Sequence, residues 1–177
     1  MSEISVRALT ADEWELYRSV RLAALEESPD AFVADRASEE QEPEDFWRSR
    51  MDRSVRLVAE VDDEDAPVGV VSIGSSRDQD DEDTVSGGQL FGLWVAPDWR
   101  GRSVAANLVR QGSRIALDRG VRRLYYWVGT DNAQGVAFAS SFGFRPTDDR
   151  RPMRTRADDP DAEQEIAMVL ALGEDRA

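Results

Sequence analysis

The residues from Leu90 to Val109 constrain the fold more than any other part of this 177-residue chain. An apolar run that ends at Val95 leads through a turn with proline, arginine and glycine into an amphipathic helix. Where a strand feeds a helix through small residues, free backbone amides and the helix dipole favour an anion. The pattern therefore predicts a strand–turn–helix unit that binds an anionic group, and a pyrophosphate is the first candidate.

The composition excludes several kinds of chemistry and several partners. The chain has neither histidine nor cysteine, which excludes a histidine base, disulfides, thiolate metal ligands and a cysteine nucleophile, and we expect no metal site. A net charge of −14 argues against nucleic acid and anionic membrane as partners and is compatible with a cationic amine. Because no apolar run is long enough to span a membrane and no signal peptide is recognisable, we expect a cytoplasmic protein. The length predicts a single domain over residues 1–177.

Hydrophobic periodicity predicts the element order β-α-α-β-β-β-α-β-α-β-β, a mixed sheet with helices on its faces. Thr10 and Glu13 have the spacing of a capping box for the first helix. Pro43 falls in the first turn of the second helix or marks a restart of it. The predicted strands are 4–9, 55–61, 67–73, 89–95, 123–128, one that begins near 145, and 166–172; the later helices are 38–51, 102–118, with Gly120 as its cap, and one capped by Asp131 or Asn132.

Two acidic runs stand in predicted connections. The first, 62–65, is a turn between two strands, and the second, 78–83, lies in a polar segment from Ser75 to Gly88. A charge run of this kind is typical of a solvated loop. The alternative interpretation is an acidic rim that attracts a cationic substrate. A further polar loop is predicted from Thr147 to Glu163.

The element order, with its motifs, resembles the GNAT superfamily of acetyl-CoA-dependent N-acetyltransferases over nearly the whole chain. The family's pyrophosphate loop, Arg/Gln-x-x-Gly-x-Gly/Ala, matches residues 100–105, with Ser103 where glycine is usual. The resemblance implies an α/β (α+β) fold with a mixed, mostly antiparallel twisted sheet of six to seven strands and about four helices. Further segments that resemble the family are 21–32, 93–97, 142–144 and 165–170.

The resemblance also implies a set of cofactor-binding residues for acetyl-CoA. The pantetheine arm is expected between the strands that end at Val95 and Val128, and the diphosphate on the first amides of the following helix. Ser103 is small and brings a hydroxyl that could bond a phosphate oxygen. The expected cofactor-binding residues are Leu93, Trp94 and Val95 on the strand, Arg100, Gly101, Arg102, Ser103, Val104 and Ala105 in the loop, and Asn132 and Phe138 on the next helix.

Two positions depart from the family's acid–base pattern. Gln89 stands where a glutamate base is often found, and Ala139 where a tyrosine acid is usual. Candidates for a replacement base are Glu26, Glu27 and Asp30, although each is also typical of a solvated turn or cap. The sequence thus leaves open an active N-acetyltransferase that acts on a small-molecule or protein amine, a catalytically degenerate acyl-CoA-binding sensor, and a structural domain without cofactor. A homodimer is expected by analogy with the family.

Overall fold

The computed structural model describes residues 3–28, 35–75, 87–130, 132–152 and 164–173. Over those residues the strands belong to one seven-stranded sheet in the order β1-β2-β3-β4-β5-β7-β6. Short 3-10 turns at 11–13 and 97–99 precede α1 and follow β4. The strands are β1 Ile4–Ala8, β2 Val55–Val61, β3 Gly69–Ser75, β4 Gly87–Val95, β5 Arg123–Gly129, β6 Arg145–Pro152 and β7 Gln164–Ala171, and the helices are α1 Trp14–Glu27, α2 Arg36–Glu40, α3 Glu44–Arg53, α4 Val104–Asp118 and α5 Ala133–Phe142.

The expected fold class is confirmed, with two local corrections. The predicted helix over 38–51 is divided into α2 and α3, because Pro43 lacks an amide hydrogen and serves as the N-cap of α3. This raises the helix count to five over the described residues. The predicted polar loop from Thr147 is also wrong at its start, since β6 runs on to Pro152. β6 lies at the edge of the sheet, where polar residues are tolerated on a strand.

The chain divides into two compact units, and the first comprises residues 1–74 and 90–114. Its strands β1, β2 and β3 pair antiparallel, with Ile4 opposite Val61 and Val55 opposite Ile73. A core packs around Trp47, which is fully buried and meets the ring of Tyr17 edge-on at 6.0 Å. The other buried members of this core are Val20, Leu22, Ala24, Leu25, Val58, Val70 and Trp94.

Glycines let α4 lie close against β3 in this unit. A Cβ at Gly69 would stand 3.0 Å from both Val104 Cγ1 and Leu108 Cδ1, and one at Gly112 would stand 2.9 Å from Ile73 Cδ1. Real side chains do not approach so closely without displacing their neighbours. The absence of a side chain at Gly69 and at Gly112 therefore allows α4 to pack closely against β3.

The second unit comprises residues 75–89 and 115–177, and its strands β5, β7 and β6 pair antiparallel. Of the two predicted caps, Asp131 or Asn132, the cap at Asn132 is confirmed, because its Oδ1 accepts the Gly135 amide at 3.0 Å. Helix α5 ends at Phe142, and Gly143 follows as its C-cap with a φ of +122° that suits only glycine. Asp30, Asp131, the acidic run 78–83 and residues 153–163 of the predicted loop lie outside the described residues. The single domain over 1–177 stays a prediction.

No helix over the described residues combines the length and the apolar character that a bilayer span requires.

Candidate cofactor-binding site

The connection from β4 to α4 is built by a short, hydrogen-bonded turn. The Ala96 amide donates to Val68 O at 2.8 Å, which ties the end of β4 to the residue that precedes β3. The Trp99 amide then donates to Ala96 O at 2.9 Å, and the Arg100 amide to Pro97 O at 3.3 Å. The predicted strand–turn–helix unit is therefore confirmed, although α4 begins at 104 rather than at 102.

Two residues of this connection have a left-handed backbone. Gly101 has φ +77° and Ser103 has φ +69°, and Ser103 is the one non-glycine residue with positive φ in the described part of the chain. Left-handed backbone is strained for residues that carry a Cβ. Ser103 occupies the fourth motif position, so its φ supplies a conformational reason for the glycine usual there. The sequence alone pointed only to the size and hydroxyl of Ser103.

The beginning of α4 leaves its first amides outside the helical hydrogen-bond ladder. The first backbone bond of the helix runs from the Asn107 amide to Ser103 O, at 3.0 Å. The amides of Val104, Ala105 and Ala106 therefore precede the intrahelical ladder, as at any helix start. No acidic residue stands in the first turn of α4. The partial positive charge at this helix end is thus not neutralised by a side chain of its own first turn.

The two arginines of the loop have different surroundings. The side chain of Arg100 is held by two hydrogen bonds: its Nε donates to Val95 O at 3.0 Å, and its Nη2 donates to Glu27 Oε2 at 2.8 Å. Arg102 is exposed, and its guanidinium lies 5.0 Å from the centre of the Trp99 ring. Arg102 therefore offers a cation to solvent beside the start of α4, whereas Arg100 is already paired.

Glu27 collects three donors at the end of α1. Its carboxylate accepts the Ser28 hydroxyl, Trp94 Nε1 at 2.8 Å and Arg100 Nη2 at 2.8 Å. Hydrogen bonds from Ser28 and Trp94, followed by Arg100, hold the pKa of Glu27 below its ordinary value. The carboxylate is therefore ionised and a weak proton acceptor at neutral pH. Its neighbour Glu26 is exposed and pairs with Arg36.

The predicted cofactor-facing residues of β4 follow Gly92 along the strand. Gly92 has φ +63°, a left-handed backbone that glycine adopts at bulges of a strand. Leu93 is half-buried, whereas Trp94 and Val95 are buried. The ring of Trp94 packs in the core of the first unit, and its indole N–H donates to the carboxylate of Glu27. Gln89 lies on the same strand and is half-buried.

The predicted residues of the second unit lie on β5 and α5. Asn132 caps α5, Phe138 is half-buried and Ala139 is fully buried. A Cβ at Gly135 would stand 2.6 Å from Asn132 Nδ2, so glycine at 135 leaves room for this cap. Burial raises the pKa of Tyr126, whose ring packs edge-on against Phe144. Tyr126 is thus a protonated packing residue.

A buried charge cluster in the first unit was missed by sequence reasoning. Glu39 is 3% exposed and accepts bonds from Arg21 and from Arg50, the shortest at 2.9 Å. Burial acts to raise the pKa of Glu39, but the two guanidinium groups outweigh it and the pKa lies below its ordinary value. Arg56 is also buried and donates to Arg50 O and Ser72 Oγ. Nothing in the sequence distinguishes Glu39 from an exposed helical glutamate.

Comparisons with known proteins identify the family. The model described as "Acetyltransferase (GNAT) family" matches residues 14–144, and the chain belongs to that family. An uncharacterized N-acetyltransferase from Methanocaldococcus jannaschii is 29% identical over 98 residues, which are 55% of this chain and 42% of that protein. The chain thus spans less than half the length of this curated relative.

Solved structures share the fold. A ribosomal-protein-alanine N-acetyltransferase from Brucella melitensis matches with a TM-score of 0.70 and 21% identity, over 95% of this chain and 99% of the other. The yncA structure from Salmonella typhimurium, solved with its cofactor acetyl-CoA, matches with a TM-score of 0.70 and 18% identity, over 99% and 98%. At these identities the likeness describes the fold alone.

Proposed function

We propose that this chain is an N-acetyltransferase that transfers the acetyl group of acetyl-CoA to a primary amine by direct attack. The observation that carries this proposal is the start of α4. Its first amides precede the helical ladder, its first turn lacks an acid, and Arg102 stands beside it as an exposed cation. A helix start of this kind suits a diphosphate. Membership of the GNAT family supports the choice of coenzyme A.

The residues of the loop would have different roles in binding the diphosphate. The amides of Val104 and Ala105 would hold the diphosphate oxygens, and Arg102 would neutralise part of the charge. The hydroxyl of Ser103 is exposed and offers a further hydrogen bond. Arg100 has a positioning role instead, since Glu27 and Val95 O hold it in place.

Catalysis on this scaffold rests on positioning rather than on a strong base. The acetyl thioester supplies an activated acyl group, and the backbone from Leu93 to Val95 would orient it. Holding two reactants in attack geometry removes a large entropic barrier. Glu27 has a lowered pKa and is already bonded to three donors, so it is a poor general base. We therefore expect attack by the small neutral fraction of the amine that is present in solution, with the proton of the attacking nitrogen released to solvent water. Gln89 could orient a water molecule but cannot take a proton.

The thiolate can leave without a positioned acid, although more slowly. A thiol has an ordinary pKa of about 8.5, which makes its anion a tolerable leaving group near neutral pH. Ala139, at the position usual for a tyrosine acid, offers only a buried methyl group. A missing acid typically lowers the rate by about 10²- to 10⁴-fold. We expect slow turnover, and a cationic amine as acceptor because the chain carries a net charge of −14.

Thiol release tests the proposal directly. Purified protein is mixed with acetyl-CoA and a panel of polyamines, amino acids and peptides with free N-termini, and the free thiol is measured over time. Saturable release with at least one amine, together with a product that is heavier by one acetyl group, is the expected result. The proposal fails if acetyl-CoA binds tightly and no member of the panel is acetylated.

A second candidate is a degenerate acyl-CoA-binding module of the same fold. Gln89 and Ala139 favour it, because both positions lack a group that transfers protons. Calorimetry separates the two functions. Binding of acetyl-CoA without acetyl transfer, combined with a partner protein that binds only the loaded form, would support the sensor. The two candidate functions thus use the same acetyl-CoA-binding loop and differ in whether acetyl transfer follows binding.

A further inference from the structure

A groove of about 310 Å³ lies between β1 and α4 in the first unit. Its volume is at the lower end of the range typical of small-molecule sites. The groove does not include the loop of residues 100–103 or the first helical residues that we assign to the diphosphate. Its lining residues are Ile4, Val6, Asn107, Arg110, Gln111 and Arg114.

The sequence creates this groove at an edge of the sheet. β1 is the edge strand, and its alternation places Ile4 and Val6 on the face that carries the buried Val61 and Ala59 opposite them. Both β1 residues are only half-buried. The lining residues of α4 follow the helical spacing of three and four, so they form one stripe along the helix. The groove therefore has an apolar wall on the strand and a polar wall on the helix.

The charge of the polar wall is unusual for this chain. The sequence has 36 acidic and 22 basic residues, yet the lining contains two arginines and no acid. Arg110 and Arg114 are exposed, and neither is in an ion pair with another residue of the described ranges. Two like charges four residues apart on a helix repel each other. The groove thus holds a local positive charge of two on a strongly acidic protein.

Asn107 adds an oriented donor. Its Oδ1 accepts Arg110 Nη1 at 2.8 Å, which orients the side-chain amide, and its NH₂ group donates to no residue of the described ranges. Guanidinium and amide donors together match an oxyanion. The half-buried Ile4 and Val6 offer the contact that an apolar body requires.

We propose that this groove binds a small organic oxyanion, a carboxylate or phosphate joined to a short apolar or aromatic body. The oxyanion is bound by Arg110 and Arg114, with the amide of Asn107 as a third contact. The apolar body lies against Ile4 and Val6. Such a ligand is distinct from the acetyl-CoA of the proposed function, so either site can exist without the other.

The isoleucine methyl groups provide a local readout. The chain has four isoleucines, at positions 4, 73, 115 and 166, and Ile4 alone lines the groove. Protein labelled with ¹³C at the isoleucine δ1 methyl groups is titrated with phenyl phosphate, benzoate and phenol. We expect a saturable shift of the Ile4 signal with the two anions and none with phenol, while the Ile166 signal stays in place. A stronger response to phenyl phosphate or to benzoate identifies the preferred oxyanion.

Matched variants connect the shift to the proposed contacts. The double variant R110Q/R114Q should weaken binding of the preferred anion at least 30-fold, because two charge-assisted contacts are lost. The double variant R102Q/R119Q removes the same two charges outside the groove and serves as the control for net charge and for the diphosphate loop; it should retain the Ile4 shift. Since all four arginines are exposed, these variants are expected to fold, which circular dichroism verifies. The proposal is overturned if Ile4 does not respond to millimolar anion, or if R110Q/R114Q binds as the unmodified protein does.

Discussion

Glu27 and Arg100 form an ion pair, 2.8 Å between Oε2 and Nη2, that joins the end of α1 to the loop before α4. The same carboxylate oxygen accepts the indole N–H of Trp94. A carboxylate at a helix C-terminus is unfavourable by itself because the helix dipole is negative there. The contacts with Arg100 and Trp94 offset that cost. Glu27 thus positions the loop and β4 together.

The variant E27Q should lower stability modestly and leave the fold intact. The amide keeps an acceptor for Trp94 but loses the charge that attracts Arg100. Because both side chains are partly exposed, we expect a loss of only about 0.5–1 kcal/mol at pH 7 in urea denaturation. E26Q is the matched control, since Glu26 is exposed and pairs with Arg36 away from the loop. A loss as large in E26Q as in E27Q would contradict the positioning role.

The same pair predicts a pH dependence of stability. The pKa of Glu27 is lowered in the folded protein, so its contribution is present above the unfolded pKa of about 4.5 and is lost as the pH falls through the folded value. The difference in unfolding free energy between the unmodified protein and E27Q should therefore shrink below pH 4.5. Denaturation curves at pH 7, 5 and 4 measure it. A difference in unfolding free energy that grows as the pH falls would contradict a lowered pKa of Glu27 in the folded protein.

Backbone strain in the loop should be measurable by two opposite substitutions. A Cβ at Gly101 meets nothing within 4 Å, so G101A tests the cost of φ +77° without a steric clash. We expect G101A to destabilise by about 1 kcal/mol and S103G to stabilise by about 0.5 kcal/mol, the latter reduced by the entropy of the unfolded chain. Thermal unfolding gives both values. If the two substitutions shift stability in the same direction, left-handed backbone strain does not determine the stability changes at these positions.

The rate of acetyl transfer should follow the protonation of the acceptor rather than that of the enzyme. The chain has no histidine, and Glu27 titrates below its ordinary range. We expect kcat/KM to rise about tenfold per pH unit from pH 6 until the pKa of the amine itself, which a set of amines with different pKa values would verify. An inflection near pH 6–7 that does not move with the amine would reveal an enzyme base that this account lacks.

The sequence predicted much of the fold because its local signals agreed with one another. Alternation and turn residues located β2 to the residue, and the capping role of Asn132 followed from its side chain and position. Because Pro43 lacks an amide hydrogen, the sequence allowed either a proline in the first turn of the second helix or a restart of that helix. The structure has the restart, since α3 begins directly after Pro43. The extension of β6 to Pro152 was missed because an edge strand can be polar, and its pattern is then the same as that of a loop.

The site was less predictable, because its contacts join residues far apart in sequence. The motif located the turn and the helix start, but nothing local indicated that Glu27 would meet Trp94, which is 67 positions away. Glu27 was therefore considered as a base rather than as a positioning residue. The buried Glu39 was missed for the same reason. The sequence motif partly indicated the left-handed φ of Ser103, because glycine is usual at that motif position.

The central claim is that the start of α4 binds the diphosphate of coenzyme A, and calorimetric titration of S103D with acetyl-CoA tests it most directly. An aspartate tolerates left-handed backbone and favours a helix N-terminus, so S103D should be at least as stable as the unmodified protein. Its carboxylate would stand where the diphosphate is expected, and we predict at least a 30-fold loss of affinity. Unchanged affinity in a stable S103D protein would contradict the claim.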